Sequence, residues 1–240
     1  MLHFQNLHIG FQGKQEPKLL FEARNLEFLK GELVGLIGPN GSGKTTLFDH
    51  LMGFITPIEG EICVHNKSLF QLTQEEKVKT LSYVPSKFFG VNHLSVYELI
   101  SMGRAPYTNI LNRLSEEDKR VIDEVLNSLD LMELQEKDTI FLSDGERQIA
   151  MIGKALAQES EVMVLDEPTA FLDYNNKRKV MGILQNVALH NEKLVFISSH
   201  DLELCFEYCT KIIAIDKNNR QLVEFTAPFQ KEEIISKIFS

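Results

Sequence analysis

The segment from Gly38 to Thr45 has the residue types and the spacing of a loop that binds phosphate groups. It reads GPNGSGKT, matches the pattern G-x-x-x-x-G-K-[ST], and lies between a predicted buried strand, LVGLIG, and a predicted helix. Its glycines let the backbone wrap around a polyphosphate, so that successive N–H groups point inward and the helix adds its positive end. We expect Lys44 to reach the β- and γ-phosphates and Thr45 to offer its hydroxyl to Mg²⁺. The candidate nucleotide-binding residues of this segment are Gly38, Pro39, Asn40, Gly41, Ser42, Gly43, Lys44, Thr45 and Thr46.

Two adjacent acids follow a second predicted buried strand. The apolar run VMVL ends at Asp166 and Glu167. Asp166 is placed to hold Mg²⁺. Glu167 follows it, near the place where an attacking water would sit, and a general base must lie within hydrogen-bond reach of that water. Two acids in the turn after a strand are commonplace on their own, but beside a phosphate loop they strengthen the prediction of a nucleotide site.

The stretch LSDGERQ, residues 142–148, carries three charged residues and no spacing typical of a metal site. Ser143 to Glu146 fits the S-x-x-E capping box, which fixes the start of a helix. The Ser143 side chain and the N–H of Gly145 lie at that start, and the positive end of the helix can face a γ-phosphate. The structural and the functional interpretation are compatible.

Strands and helices that could position these residues alternate along the chain. Residues 2–34 are predicted as short strands of a small antiparallel sheet. Four further apolar runs are too short for helices, and several are separated by helical patterns, which predicts a parallel sheet with crossover helices. These runs are LSYV at 81, VMVL at 162, LVFIS at 194 and KIIAI at 211.

The segment between Leu94 and Gln158 shows one helical pattern after another. Ser115 is a predicted N-cap followed by acids that suit the helix dipole. The apolar stripe of that helix comprises Val121, Ile122, Val125, Leu126 and Leu129. The C-terminal FQKEEIISKIFS is predicted as a short amphipathic helix that packs on the body through Ile234, Ile235, Ile238 and Phe239.

Together these patterns predict an α/β fold with a P-loop NTPase core and a mainly parallel sheet. An N-terminal antiparallel β subdomain precedes the core, and an α-helical subdomain is inserted at about residues 90–160. We expect one domain over residues 1–240, because no linker or internal repeat divides the chain.

Composition limits the classes of function. The chain has 240 residues and a formal net charge of −9, which gives little of the basic surface expected for nucleic-acid binding. No run approaches the ~18 apolar residues of a membrane span, and the N-terminus lacks the profile of a signal peptide. Cys63, Cys205 and Cys209 are interpreted as buried structural thiols, because an odd count in so long a chain is not typical of a disulfide framework. We expect a soluble, cytosolic protein.

The four motifs together resemble those of the ATP-binding subunits of ABC transporters, along nearly the whole chain. GPNGSGKTT, LSDGERQ, VMVLDEPTAFLD and ISSHD occur in that family's order and approximate spacing. The resemblance implies an ATPase in which Lys44 and Thr45 contact phosphate and Mg²⁺. It also implies that Asp166 is a magnesium partner and that Glu167 is the catalytic carboxylate.

Further residues take their expected roles from the resemblance alone. His200 is expected to touch the γ-phosphate, although a lone histidine after a strand is more often structural. Phe11 falls where the family places an aromatic ring against adenine, and it could equally belong to the core. Two copies are expected to pair head to tail, with Asp173 in the loop that contacts the opposite copy. The signature loop that would close over the ATP held by the partner comprises Ser143, Asp144, Gly145 and Glu146.

Three positions depart from the family pattern: Asp144 and Glu146 in the signature, and Ser86 in YVPSK. Glu146 can serve a capping box as well as glutamine can. The usual signature is LSGGQ, so Asp144 brings a carboxylate near a triphosphate, a repulsion of ~1–4 kcal/mol at a separation of about 4 Å. We hypothesise that Asp144 points away from the phosphate or pairs with a cation such as Arg147. In YVPSK, Ser86 replaces the family's glutamine, which reaches Mg²⁺ and links the helical insertion to the site. Since the shorter serine would need a bridging water, we expect weaker coupling and slower basal hydrolysis.

The stretch ELISMGRAPY and the helix after it resemble the importers of iron-siderophore, heme and cobalamin compounds. Such a subunit would act through separate transmembrane permease subunits, and indirectly with a substrate-binding protein, at the inner face of the cell membrane. The groove beside residues 86–104 would receive a coupling helix of the permease, with Phe88, Phe89 and Val91 either exposed for docking or buried. The alternatives are a soluble ABC-type switch without a membrane partner and an importer subunit for another small solute, such as zinc or manganese.

Overall fold

The computed structural model describes residues 1–13, 16–108 and 113–239, which form eleven strands and eight α-helices. The strands are β1 (Leu2–Phe11), β2 (Lys18–Ala23), β3 (Leu26–Phe28), β4 (Leu33–Ile37), β5 (Glu59–Val64), β6 (Lys67–Ser68), β7 (Leu81–Val84), β8 (Val162–Leu165), β9 (Leu194–Ser198), β10 (Lys211–Asp216) and β11 (Gln221–Thr226). The α-helices are α1 (Lys44–Leu51), α2 (Gln74–Thr80), α3 (Val96–Ser101), α4 (Glu116–Ser128), α5 (Asp144–Ala157), α6 (Tyr174–His190), α7 (Leu202–Tyr208) and α8 (Lys231–Phe239). Short 3₁₀ turns lie at Leu69–Gln71, Met102–Tyr107, Met132–Leu134 and Thr139–Phe141.

All eleven strands of the described residues join one mixed sheet, in the order β6-β5-β1-β2-β11-β10-β4-β9-β8-β7, with β3 paired to β1. The strands β10, β4, β9, β8 and β7 run parallel, and all four predicted apolar runs lie among them. β1 pairs antiparallel with β2 and β3, as predicted for residues 2–34. It also pairs antiparallel with β5, a strand that was not predicted. The antiparallel part is not a separate sheet, however, because β2 pairs with β11 at Glu22 and Gln221 and so continues the core.

The central parallel strands β4, β8 and β9 are buried along their whole length, which explains why their sequences are almost continuously apolar. Every residue of β4, β8 and β9 is buried, as expected where helices cover both faces of a parallel sheet. The three cysteines are free thiols with buried side chains, as predicted. Cys205 and Cys209 lie beside Gly35 of β4, where a Cβ would come within 3.0 Å of the Cys209 Sγ.

The segment between β7 and β8 contains α3, α4 and α5, which pack against one another at the place predicted for the helical insertion. Residues 109–112 of that predicted segment lie outside the described residues. Ser115 caps α4 as predicted, since its side chain accepts a hydrogen bond from the N–H of Asp118. Within the predicted stripe, Val121 is half-buried. The fully buried members of the stripe are Ile122, Val125, Leu126 and Leu129.

Helix α8 packs on β10 through a narrower stripe than predicted. Ile234 and Ile238 are buried, whereas Ile235 and Phe239 are 41% and 40% exposed. Residues four apart share one face of a helix, and their successors are rotated away from it, so the prediction was wrong for Ile235 and Phe239. Across the three described ranges, no helix is both long enough and apolar enough to cross a membrane.

Candidate functional site

The loop from Gly38 to Gly43 connects the buried strand β4 to α1 and has a backbone shape that requires glycine. Gly43 has φ +108°, and a Cβ at this position would lie 3.0 Å from the Phe21 ring. The Ser42 hydroxyl is buried and has no hydrogen-bond partner within the described part of the chain. Because a buried hydroxyl without a partner is costly, the loop fits an oxygen-rich ligand such as a phosphate group.

Lys44 is the first residue of α1, and its side chain lies back over the loop. Its Nζ atom donates to the carbonyl oxygens of Gly38 at 3.0 Å and Pro39 at 3.5 Å, and only 7% of the residue is exposed. Burial lowers the pKa of Lys44, while the negative charges of Glu167 and Asp166 oppose that shift. The buried ammonium is therefore positioned inside the loop, where a phosphate could replace the backbone carbonyls as its partner.

Thr45 and Asp166 converge, although 121 residues separate them in the chain. The Thr45 Oγ1 donates to the Asp166 Oδ2 at 3.2 Å, and the Ser198 Oγ donates to the Asp166 Oδ1 at 2.5 Å. A hydroxyl and a carboxylate are oxygen ligands of the type that Mg²⁺ takes beside a triphosphate. These residues fit Mg²⁺, which would neutralise developing charge on the phosphates when bound.

A second carboxylate, Asp49 of α1, lies near the same place and was missed in the sequence. Burial raises the pKa of Asp49, and the charge of Asp166 raises it further. The same two carboxylates add to burial in raising the pKa of Tyr83 to about 12. The sequence gives one signal for Asp49, its position one turn after the lysine and threonine of the loop, on a helix that starts at the site.

Glu167 and His200 form a contact at the ends of two neighbouring strands. Leu165 pairs with Ile197 where β8 and β9 run side by side, so the residues that follow both strands meet at one edge of the sheet. The His200 Nε2 lies 2.6 Å from the Glu167 Oε1. Glu167 has a left-handed backbone, with φ +48°, which turns its side chain out of the line of β8. The pair can orient a water and accept its proton.

Ser198 connects both acids and was also missed in the sequence. Besides donating to Asp166, its Oγ accepts the N–H of Glu167 at 2.8 Å. Ser198 is fully buried at the end of β9. The available signal in the sequence is a polar residue that ends the apolar run LVFIS.

The signature residues start α5 as predicted. The Ser143 N–H donates to the Glu146 Oε2 at 2.7 Å, and the Glu146 N–H donates to the Ser143 Oγ at 3.3 Å, which completes the capping box. The hydrogen bond from the Ser143 backbone is the main reason that the pKa of Glu146 is lowered. The Asp144 carboxylate pairs with the Arg147 guanidinium at 2.6 Å, so the predicted partner is confirmed.

The signature helix also contacts the predicted dimer loop of its own chain. A Cβ on Gly145 would lie 2.8 Å from the side chain of Asn176. Asn176 in turn donates its backbone N–H and its side-chain amide to Asp173, at 2.9 and 2.8 Å. These contacts form one group, and the bonds that join the phosphate loop, Asp166, Ser198, Glu167 and His200 form another.

Ser86 and Phe11 occupy more peripheral positions. Ser86 lines a cavity of about 320 Å³ that also borders Asp144 and the dimer loop. Phe11 ends β1 and is 43% exposed, so it does not belong to the core. The backbone of the preceding residue, Gly10, is hydrogen-bonded to the imidazole ring of His50 in α1. This contact brings Phe11 beside the helix that begins at the phosphate loop. An exposed aromatic ring there is available to a nucleotide base.

Comparison with known proteins gives a family match and relatives that are named as ATP-binding proteins of the same family. The family described as ABC transporter matches residues 21–170. An uncharacterised ABC transporter ATP-binding protein of Methanocaldococcus jannaschii is 32% identical over 241 residues, covering 100% of this chain and 81% of the relative. The petrobactin import ATP-binding protein FpuD of Bacillus anthracis is 32% identical over 197 residues, covering 82% of this chain and 72% of the relative.

The fold is also found among solved structures. A transporter assigned to the metal-chelate type, solved in an inward-facing conformation, superposes with a TM-score of 0.82 and 28% sequence identity. The superposition covers 98% of this chain and 88% of that chain. The architecture described above, including the helices between β7 and β8, is therefore shared with a chain of that transporter.

Proposed function

The chain belongs to the ABC transporter family, and we propose that it powers an importer whose cargo is an iron chelate, such as a siderophore or heme, or cobalamin. As an ATP-binding cassette of this family, it binds and hydrolyses ATP in support of transport. The observation that carries the cargo proposal is that a relative covering most of this chain is named for petrobactin import. The similarity to a transporter of the metal-chelate type supports the same class of cargo.

In the proposed active site, the residues of this chain act mainly by position and charge. Lys44 and the N–H groups of the loop bind the phosphates, and Thr45 and Asp166 would hold Mg²⁺. Glu167 accepts the proton of the attacking water. His200 holds Glu167 in place, and we propose that it also contacts the γ-phosphate.

The site is proposed to be completed by a second copy of the chain. The contacts described above divide into a phosphate-loop group and a signature group, and the positive end of α5, which begins in the signature group, is suited to bind a phosphate. Head-to-tail pairing would bring Ser143 and Gly145 of one copy to the ATP of the other, with Asp173 at the contact. ATP would then drive closure of the dimer, and hydrolysis would reopen it.

The membrane partner is proposed to dock beside residues 86–104. Phe89 is 71% exposed and Val91 is 47% exposed, which supports a docking patch. Phe88 instead packs against the core and is half-buried, so the sequence's open alternatives are met differently at Phe88 than at Phe89 and Val91. Met102 is 52% exposed at the end of the same region. Docking on separate permease subunits would place the chain at the inner face of the cell membrane, where a substrate-binding protein would deliver cargo to the permease.

The first experiment is a pull-down with a tagged Glu167→Gln chain from detergent-solubilised native membranes. Slowed hydrolysis keeps the closed state, so partners should remain attached and can be identified by mass spectrometry. Glu232→Gln, a change on the exposed surface of α8, is the matched control. A polytopic membrane protein enriched with Glu167→Gln supports an importer, and uptake of labelled ferric siderophore, heme, cobalamin, zinc and manganese in cells depleted of this chain separates the cargoes. Only soluble partners, from a preparation that still binds ATP and dimerises, would reject the importer and favour a soluble switch.

A further inference from the structure

Thr139 joins the proposed docking stretch, residues 86–104, to the segment that leads into the signature helix α5. Its side chain is completely buried, at 0% exposure. The Thr139 Oγ1 accepts the Val91 N–H at 2.9 Å and donates to the Val91 carbonyl at 3.1 Å. The backbone N–H of Thr139 donates to the Leu94 carbonyl at 2.8 Å. One buried residue therefore holds the stretch through three hydrogen bonds, two of them made by its hydroxyl.

The backbones on the two sides of this contact lie very close together. Gly90 has φ +75°, and a Cβ there would lie 2.5 Å from the Thr139 carbonyl oxygen. The His93 N–H donates to the Asp138 Oδ2 at 2.9 Å, and Ser95 and Asp138 form an antiparallel bridge. Such close packing leaves no room for one stretch to slide past the other, so they are expected to move together.

The segment that contains Thr139 runs directly into the signature. A 3₁₀ turn covers Thr139–Phe141, and Ser143 caps α5 after one further residue. Arg147 of α5 reaches back and donates to the carbonyl oxygens of Thr139 at 3.5 Å and Ile140 at 3.3 Å. A displacement of residues 90–94 would therefore reach Ser143 along the backbone of residues 139–142 and through the side chain of Arg147.

We propose that Thr139 is a positioning residue that transmits docking of the membrane partner at Phe89 and Val91 to the signature loop, Ser143–Glu146. The proposal rests on the proposed function, because it requires a membrane partner on that stretch. Ser86 is expected to need a bridging water to link the helical insertion to the magnesium site. The Thr139 contact provides a second connection, from the docking stretch to the signature loop, and hence to the ATP held by the other copy.

The test compares ATP turnover of the complex, purified from native membranes through the tagged chain, with turnover of the isolated chain. Thr139→Val has a similar shape and removes both hydroxyl bonds, and Thr139→Ser restores the hydroxyl. We expect Thr139→Val to reduce the ratio of the two turnover rates about tenfold, as expected for two lost buried hydrogen bonds, and Thr139→Ser to recover it. Thr80→Val is the matched control, because it removes another buried hydroxyl, which donates to the Glu76 carbonyl at 2.7 Å far from the signature.

The outcomes separate this inference from the proposed function. If the wild-type chain purifies with a membrane partner but Thr139→Val keeps the wild-type ratio, the positioning role is rejected and the importer stands. If the wild-type chain has no membrane partner, the proposed function is rejected and this inference with it. Should Thr139→Val fail to fold, hydrogen exchange on the wild type decides: docking must slow exchange of the Val91 and Thr139 amides and of residues 142–146 together. Protection confined to residues 86–95 would contradict the proposal.

Discussion

Replacing Ser198 with alanine tests whether one buried hydroxyl positions both acids of the active site. The Ser198 Oγ donates to the Asp166 carboxylate at 2.5 Å and accepts the Glu167 N–H at 2.8 Å, and the residue is fully buried. A hydrogen bond to a charged group is worth about 1.5–3 kcal/mol and one between neutral groups about 0.5–1.5 kcal/mol. We therefore expect Ser198→Ala to lower the free energy of unfolding by about 2–4 kcal/mol.

The effect on catalysis has a different origin. Without the Ser198 hydroxyl the part-buried N–H of Glu167 loses this partner, and the turn that holds its left-handed φ of +48° loses a support. A shift of about 1 Å in a catalytic group can reduce a rate roughly a hundredfold, so we expect kcat to fall about 10- to 100-fold. ATP affinity measured without divalent metal should change by less than about threefold, because the phosphate loop and Lys44 make their own contacts.

The assays are urea denaturation, single-turnover ATP hydrolysis and nucleotide binding in EDTA. Ser160→Ala is the matched control: Ser160 is also fully buried next to β8, and its hydroxyl donates to the Ser82 Oγ at 2.7 Å. It should lose stability but keep kcat. If Ser198→Ala loses stability to a similar extent and hydrolyses ATP at the wild-type rate, Ser198 has only a structural role and the reasoning fails.

Three further predictions concern other contacts. Asp144→Gly should leave ATP affinity nearly unchanged, because Arg147 already holds the carboxylate at 2.6 Å; a large gain in a binding titration would show that the carboxylate faces the phosphate. Ser86→Gln should raise basal turnover and alter its Mg²⁺ dependence, and an unchanged magnesium titration would contradict the expected role. Hydrogen bonds from Ser115 and Arg104 outweigh burial and lower the pKa of Asp118 below 3.8, so the stability that Asp118 adds over Asp118→Asn is full above pH 3.8 and is lost as pH falls through its folded pKa. Urea denaturation of both proteins between about pH 2.5 and 7, a range that extends roughly one unit below the ordinary pKa of an aspartate, tests this prediction. A difference in unfolding free energy that stays constant over this range would contradict it.

The parts of the fold that follow from local pattern could be predicted from the sequence. The apolar runs predicted the core strands because strands buried on both faces need apolar side chains at nearly every position. The capping boxes at Ser115 and Ser143 formed as expected, since each requires only residues within one turn. The contact between Asp144 and Arg147 has the same local origin, because residues three apart share a helix face.

Contacts between distant segments could not be predicted in the same way. Ser198 lies 31 and 32 residues from the acids that it supports, and only the register of β8 against β9 brings it to them. Thr139 lies 48 residues from Val91, and nothing in either stretch alone indicates the other. The continuity of the antiparallel strands with the core depends on a single pair between β2 and β11. In each case tertiary pairing, rather than residue type, decided the outcome.

The two acidic residues of the signature are compatible with a shared active site because both carboxylates already have partners within the chain. Two unit charges about 4 Å apart interact by roughly 4 kcal/mol at a surface-like dielectric constant of about 20, so two free carboxylates would oppose the approach of a triphosphate. The Glu146 carboxylate, however, accepts the Ser143 N–H, and the Asp144 carboxylate is bound to Arg147. Because Arg147 also donates to the carbonyl groups of Thr139 and Ile140, the residue that neutralises Asp144 also attaches the signature helix to the Thr139 segment, which contacts the docking stretch. A change of Arg147 should therefore affect ATP affinity and coupling together, whereas a change of Asp144 should affect neither strongly.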